Sequence, residues 1–420
     1  MKFLHTADWH LGQTFHNRSR LPEQQRALDW LLDVLIEEEV DLLIVAGDIF
    51  DVSSPAEDAR KLYYDFLGRL ARTPVQWSII VAGNHDNPRM ISAARELARP
   101  LNIHIVGEPA RGEDRMHDLI ELRDGSGQLH GTVAAVPFLP DRYVRTSRAD
   151  RSFEEQEMDL AEAILAHYTQ LAEALTAEQR ALPCLATGHL YATKAVAREG
   201  QDNIYVGNVR NLDAGLLPTA FDYVALGHIH RPQQLPAKVP CYYSGSLLAL
   251  DFAETADEKG VHIGTFGNDK QVDLNWRTCP TNRRLKRLQG SPANLPRVMR
   301  AFAERHAQDE LRPWIELSST EPIPDEKQRR RLHELAAELE LELLRLRVEH
   351  PSTPHGSGSL EEPALERLEE LSVFDIYQRR CDLQDWTVEL HERIDPLFRQ
   401  AWTASEQGLA GAEGGQAAGS

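Results

Sequence analysis

The chain has 420 residues, a formal net charge of −19, and four cysteines at Cys184, Cys241, Cys279 and Cys381. That length exceeds one ordinary small domain and calls for two or three. The acidic balance argues against a free-standing nucleic-acid binder, which needs Lys and Arg to neutralise phosphates, and the scattered cysteines suit neither a zinc knuckle nor a disulfide framework.

No stretch is apolar for long enough to span a membrane, and Met1-Lys2-Phe3-Leu4 runs straight into His5 and Asp8 without an apolar leader. The expectation is a cytoplasmic protein, without membrane contact.

A first strand ends at Asp8-Trp9-His10. Asp8 and His10 are two apart, which on an extended segment points both to one side. After a polar loop, residues 24–39 carry a helical stripe of Leu28, Leu31, Leu32, Leu35 and Ile36. A buried-type strand over 41–46 ends in Gly47-Asp48. A helix over 55–70 follows, with Pro55 suited to its first turn. The strand over 76–82 ends in Gly83-Asn84-His85-Asp86, and a helix covers 89–98. Strands spaced by helices in this way predict a parallel sheet with right-handed crossovers.

Residues 102–138 change character. Ile103-His104-Ile105-Val106, 116–123 and 128–136 read as strands of a second, more antiparallel set, parted by turns such as Asp124-Gly125-Ser126-Gly127. The loop over 137–151 holds Arg142, Arg145, Arg148 and Arg151, read as facing solvent. A long amphipathic helix covers 153–177. The strand over 182–187 ends in Gly188-His189. A polar loop runs over 191–203, and the strand over 221–226 ends in Gly227-His228-Ile229-His230. Strands over 239–244 and 260–266 close a unit spanning 1–275.

A smaller β-α-β-α-β unit over 280–350 follows. Residues 274–303 contain seven Arg or Lys and no Asp or Glu, which reads as solvated basic surface or a phosphate-contacting face. Residues 351–360 are rich in Pro, Ser and Gly and read as a linker. The segment 361–405 holds too few elements for its own core and suits docking on a partner. The Gly/Ala-rich 406–420 is expected to be disordered.

Five apolar runs thus end in Asp, Asn or His, at the C-terminal strand ends where open α/β sheets place their sites. The donors are oxygen and nitrogen with no thiolate, which favours Mn²⁺, Mg²⁺, Fe²⁺ or Zn²⁺. There are more ligands than one ion needs. Two ions about 3.5–4 Å apart, sharing a bridging carboxylate, would use them all and suit phosphoester hydrolysis.

The series Thr6-Ala7-Asp8-Trp9-His10, Gly47-Asp48-Ile49-Phe50-Asp51, Gly83-Asn84-His85-Asp86, Gly188-His189 and Gly227-His228-Ile229-His230 resembles the calcineurin-like metallophosphoesterases. It is similar to their SbcD nuclease-subunit branch, and the likeness covers nearly the whole chain. It implies an α/β two-sheet sandwich flanked by helices, a small α/β capping domain that contacts DNA, and a helical C-terminal tail. By that resemblance Asp8, His10 and His230 hold one ion, Asn84, His189 and His228 the other, and Asp48 bridges them. His85 faces the scissile phosphate, with Asp86 as its orienter. The resemblance also implies Mn²⁺, exonuclease and endonuclease action on DNA in repair, recombination and replication, and location at the nucleoid. It further implies an SMC-like ATPase partner, SbcC, docking on the region after 360, and a homodimer within a heterotetramer. The competing readings are a phosphoesterase for nucleotides or other small phosphodiesters, and a scaffold without catalysis.

Overall fold

The computed structural model describes residues 1–110, 118–140, 153–192, 195–196, 212–323 and 325–348, with positions 394 and 398. Met1–Pro351 form one compact unit; Ser352–Ser420 are grouped apart. The expected linker, partner-binding segment and tail lie outside the described residues, apart from positions 394 and 398. The arginine-rich loop also falls outside from position 141 onward.

The first sheet is built on Lys2–Thr6, Leu42–Ala46 and Trp77–Val81, which pair in parallel. The two latter strands are buried along their full length. Alternation still decides which way each residue faces. Phe3, Leu42, Ile44 and Ile79 point between two sheets, whereas Leu4, Leu43, Val45 and Ile80 point at the helices outside. Helix Leu21–Glu37 supplies Leu28, Leu31, Leu32 and Leu35 to that outer layer, and Pro22 sits in its first turn. Ile36, expected in the same stripe, is 50% exposed. Each fully buried aliphatic side chain contributes about 1.5–3 kcal/mol.

Four expectations need correction here. Ile103–Val106 belongs to the first sheet, pairing in parallel with Trp77–Val81, and does not open the second set. The single helix over 89–98 is instead a broken series, Pro88–Ile91, a 3-10 turn Ser92–Ala94, and Arg95–Ala98. Pro55 precedes the N-cap Ala56 of helix Glu57–Leu70 and is not in its first turn. A further strand, Val272–Thr278, pairs antiparallel with Gly260–Phe266 and forms one edge of the first sheet, past the expected boundary at 275.

The second sheet has the order Gln233–Gln234, Cys241–Tyr243, Tyr223–Gly227, Cys184–His189, Leu129–Ala134, Leu119–Arg123. Tyr223–Gly227 pairs in parallel with Cys184–His189, and only the Leu119–Arg123 and Gln233–Gln234 edges are antiparallel. Val133, Leu185, Tyr223 and Ala225 meet Phe3, Ile44 and Ile79 of the first sheet. Helix Phe153–Ala174 covers the outer face with Tyr168 and Leu171.

The small sheet Leu285–Gly290, Trp314–Ser319, Glu342–Val348 is parallel throughout. Helices Leu295–Arg305 and Glu326–Glu338 pack on it through Met299, Phe302 and Leu332, the second capped by the Asp325 side chain. Its basic run is partly self-neutralised. Arg277 pairs with Glu37, Arg283 with Glu23, Arg284 with Asp309 and Arg287 with Glu316. Among the described residues, Lys286, Arg297 and Arg300 have no ion-pair partner.

Candidate metal centre

Strand Lys2–Thr6 stops before its functional residues. Asp8 and His10 are not extended but left-handed, with φ of 53° and 47°, and Asp48 and His228 share that sign at 50° and 103°. The two side chains therefore converge through a tight loop, not through strand alternation. Backbone bonds hold the loop: Asp8 N–H to Gly47 O at 3.0 Å, His10 N–H to Asp48 O at 3.0 Å, and Leu11 N–H to Ile49 O at 2.9 Å. Asp and His are among the residues that tolerate this backbone best. Gly83 matters for a different reason: a Cβ there would lie 2.1 Å from Asp48 Oδ1, so glycine lets the carboxylate approach.

Donor atoms from both sheets gather at these ends. Those of Asp8, His10 and His230 lie within 4.8 Å of one another, as do those of Asp48, His189 and His228. Asp48 Oδ2 stands between the groups, 3.5 Å from His10 Nε2 and 3.3 Å from His189 Nε2. Asn84 Oδ1 is 2.9 Å from His189 Nε2, and the Nε2 atoms of His10 and His230 face each other at 3.1 Å.

The opposite ring nitrogens are committed elsewhere. Nδ1 of His10 meets Asp51 Oδ1 at 3.2 Å, Nδ1 of His230 meets Glu254 Oε1 at 2.9 Å, and Nδ1 of His189 meets Ala46 O at 2.9 Å. Each acceptor fixes the proton on Nδ1 and turns the Nε2 lone pair to the centre. Asp8 Oδ2 and His228 Nε2 are buried without any hydrogen-bond partner. Orphaned buried acceptors are costly, and divalent cations would satisfy both, so this donor set fits such ions.

The charges are strongly coupled. Burial alone would raise the Asp48 carboxyl, but His189, its hydrogen bond, His10 and His85 hold it well below the usual carboxylate range. Asp8 moves up because burial outweighs the neighbouring histidines. His189 resists its own burial and is raised to about 9 by Asp48 and Asp8. Burial, reinforced by His189, pushes His228 far down.

Ion uptake should therefore expel protons. A ring with a pKa of about 9 carries a proton at pH 7 in the ion-free site, and a metal must displace it. Affinity should fall as pH drops and level off above about 9. Calorimetric titration at pH 7 in buffers of different ionisation enthalpy should show proton release. Identical heats in all buffers would contradict it.

His85 is exposed. Its backbone N–H donates to Asp48 Oδ1 at 3.0 Å, and its Nδ1 meets the backbone oxygen of Asp51 at 2.7 Å. That contact corrects the expectation for Asp86. The Asp86 carboxylate is buried and accepts from the N–H groups of Ile49, Phe50 and Gly83 at 3.1, 2.9 and 2.8 Å. It ties two site loops together and makes no hydrogen bond to His85 among the described residues. Burial and the charge of Asp48 raise it to about 6.

Sequence reasoning missed Asp51, Glu254 and Lys259. Asp51 stands in the Gly47-Asp48-Ile49-Phe50-Asp51 run, so a signal existed. Glu254 and Lys259 carry none, because only folding brings them to His230.

Residues 1–232 match the family model for calcineurin-like phosphoesterases, and residues 281–385 match that of the type 5 capsule protein repressor C-terminal domain. The SbcD subunit of the SbcCD nuclease from Escherichia coli K12 is 33% identical over 402 residues, 95% of this chain and 97% of that protein. The chain belongs to the SbcD nuclease-subunit family. It is a metal-dependent phosphodiester hydrolase with a calcineurin-like phosphoesterase fold. Another SbcD-family protein, from Bacillus subtilis 168, is 35% identical over 269 residues, 63% of this chain and 66% of the relative. Among solved structures, a dimetal phosphatase from Danio rerio is 14% identical with a TM-score of 0.38, covering 67% of this chain and 97% of that one. At that TM-score the likeness adds nothing to the sequence match. Among the described residues, no helix of this SbcD-family chain is long and apolar enough to cross a membrane.

Proposed function

We propose that this chain is the nuclease subunit of an SbcCD-type complex, cutting DNA with two Mn²⁺ ions as a double-strand exonuclease and a single-strand or hairpin endonuclease. The observation that carries the reading is the position of Asp48 Oδ2 between two separate histidine groups. Asp8, His10 and His230 would hold one ion, Asn84, His189 and His228 the other, and Asp48 both. When bound, such a pair neutralises the phosphodiester, lowers the pKa of the attacking water and stabilises the leaving oxygen.

The chain's own contribution is orientation and proton handling. Asp51, Glu254 and the Ala46 carbonyl lock three imidazoles into the ligating tautomer. The Asp51 carbonyl holds His85 Nδ1, and this ring, beside His10 and Asp48, would meet a phosphoryl or leaving oxygen of the substrate. Asp86 acts one layer further back, by fixing the loops that carry Asp48 and His85.

In this reading residues 1–275, with the strand that runs on to Thr278, are the nuclease domain and 280–350 a DNA-contacting cap, with Lys286, Arg297 and Arg300 as cations of its basic run that have no ion-pair partner among the described residues. The segment 361–405 would dock on the coiled-coil base of an SMC-like ATPase, joined by the linker 351–360. The partner could supply basic surface that a chain of net charge −19 lacks.

Cleavage assays on linear duplex, hairpin DNA and a small phosphodiester, each with Mn²⁺, test the proposal. DNA cleavage is expected from the chain alone and should become ATP-dependent on duplex ends once the ATPase is added. Turnover of the small phosphodiester only would favour the small-substrate reading. A chain ending at 360 should keep Mn²⁺-dependent cleavage and lose co-purification with the ATPase. Retained co-purification would remove the docking role.

A further inference from the structure

The 3-10 turn Phe252–Glu254 touches two parts of the molecule at once. At one end, Phe252 is buried with Phe15 against Leu285 and Trp314, both on strands of the small sheet. Its ring lies 5.2 Å from that of Phe15, which stacks on Trp314 at 6.1 Å. At the other end, two residues on, Glu254 accepts from His230 Nδ1.

The Glu254 side chain is clamped. Its second oxygen accepts from Lys259 Nζ at 2.7 Å and from Leu250 N–H at 3.1 Å. Lys259 Nζ also donates to the His230 carbonyl at 2.8 Å and to Ser246 Oγ at 3.0 Å, so His230 is gripped by ring and by backbone. A buried charge pair of this kind seldom adds net stability, yet it sets geometry closely when every donor is used.

A second route joins the same segment to the small sheet. The fully buried Arg20 donates to the Ala249 carbonyl at 2.6 Å and pairs with Glu23 at 2.9 Å. Glu23 also binds Arg283 at 3.2 Å, and the Arg283 guanidinium lies 4.3 Å over the Trp314 ring. Packing through Phe252 and the Arg20–Glu23–Arg283 chain thus both lead from Trp314 to the residues around Glu254.

We propose that Glu254 is a positioning residue for His230, and that the Phe252–Glu254 turn makes His230 respond to how the small sheet is seated. The inference rests on the reading of His230 as a metal ligand. A shift of the small sheet, as when it meets a duplex, would be felt at the ion beside Asp8 and His10 before the ion beside His189 and His228.

The test uses the full chain and Mn²⁺ alone. Stepwise affinities come from calorimetry, the coupling between paired ions from electron paramagnetic resonance, and folding from melting in chelator. Glu254→Ala should weaken one of the two ions by about 10–100-fold, the size known for removing a histidine's outer partner, and leave the other unchanged. Glu254→Gln, which keeps an acceptor for Nδ1, should recover much of that loss. Phe252→Ala should weaken the same ion, by less. Phe302→Ala, in the small sheet's own core, should loosen the fold without altering either affinity.

Wild-type affinity for both ions in Glu254→Ala would overturn the positioning role. If that variant does not fold, Glu254→Gln and Phe252→Ala still decide. An unchanged Phe252→Ala, or equal losses in Phe302→Ala, would overturn the coupling. Uptake of fewer than two ions by the wild-type chain would instead remove the ligand reading, and this inference with it.

Discussion

Asp48→Asn is expected to lower phosphodiester cleavage at least about 10³-fold, the scale of losing preorganised electrostatic stabilisation, while leaving the fold intact. The substitution keeps size and shape. The Asn oxygen can still accept from the His85 backbone N–H. What disappears is the one anion placed between the two donor groups. Both ions should therefore weaken together, each by more than about 100-fold, since even outer-shell partners are worth about 10–100-fold. Calorimetry with Mn²⁺ and melting in chelator would separate the effects. A variant that still loads two ions tightly would show that Asp48 is not shared.

His85→Gln should do the converse, retaining the ions and losing turnover. The residue is exposed, its ring lies 4.9 Å from that of His10, and its Nδ1 is held by the Asp51 carbonyl. Glutamine can still hydrogen-bond but cannot pass a proton, so cleavage should fall about 10²–10⁴-fold, the range for general acid–base catalysis. Mn²⁺ stoichiometry should stay at the wild-type value. A substrate with a leaving group that needs no proton should lose far less, and this comparison distinguishes proton donation from charge stabilisation. Undiminished cleavage of DNA by the variant would end the role given to His85.

Much of this molecule could be read from the chain, for definite reasons. The strands at 42–46, 77–81 and 223–227 are buried on both faces, so they appear as nearly continuous apolar runs, and their donors follow within three residues. Helix Leu21–Glu37 shows its periodicity because one face meets solvent. Misreadings arose where local signals compete. Val272, Leu274 and Trp276 alternate with Asp273, Asn275 and Arg277, a plain edge-strand pattern that a reading by charge passes over. Ile103–Val106 is too short to reveal which sheet takes it. Asp8 and His10 look like alternate strand residues because a left-handed turn leaves no mark in residue spacing. Asp86 looks like a partner of its neighbour, whereas its acceptor capacity goes to three backbone amides. Glu254 and Lys259 follow His230 by 24 and 29 residues, and nothing local marks them.

The left-handed backbone at Asp8, His10, Asp48 and His228 bears on how the protein trades its ions. Such residues cost roughly 1 kcal/mol or more apiece, and here neighbouring backbone bonds and two packed sheets sustain them. That penalty is met during folding, so the cradle has its shape before any cation arrives. Stripping the ions with chelator should leave the backbone signature in circular dichroism unaltered, unlike a zinc finger, which melts when emptied. Exchange of one divalent species for another then becomes a question of cellular supply and ligand preference, decided without refolding.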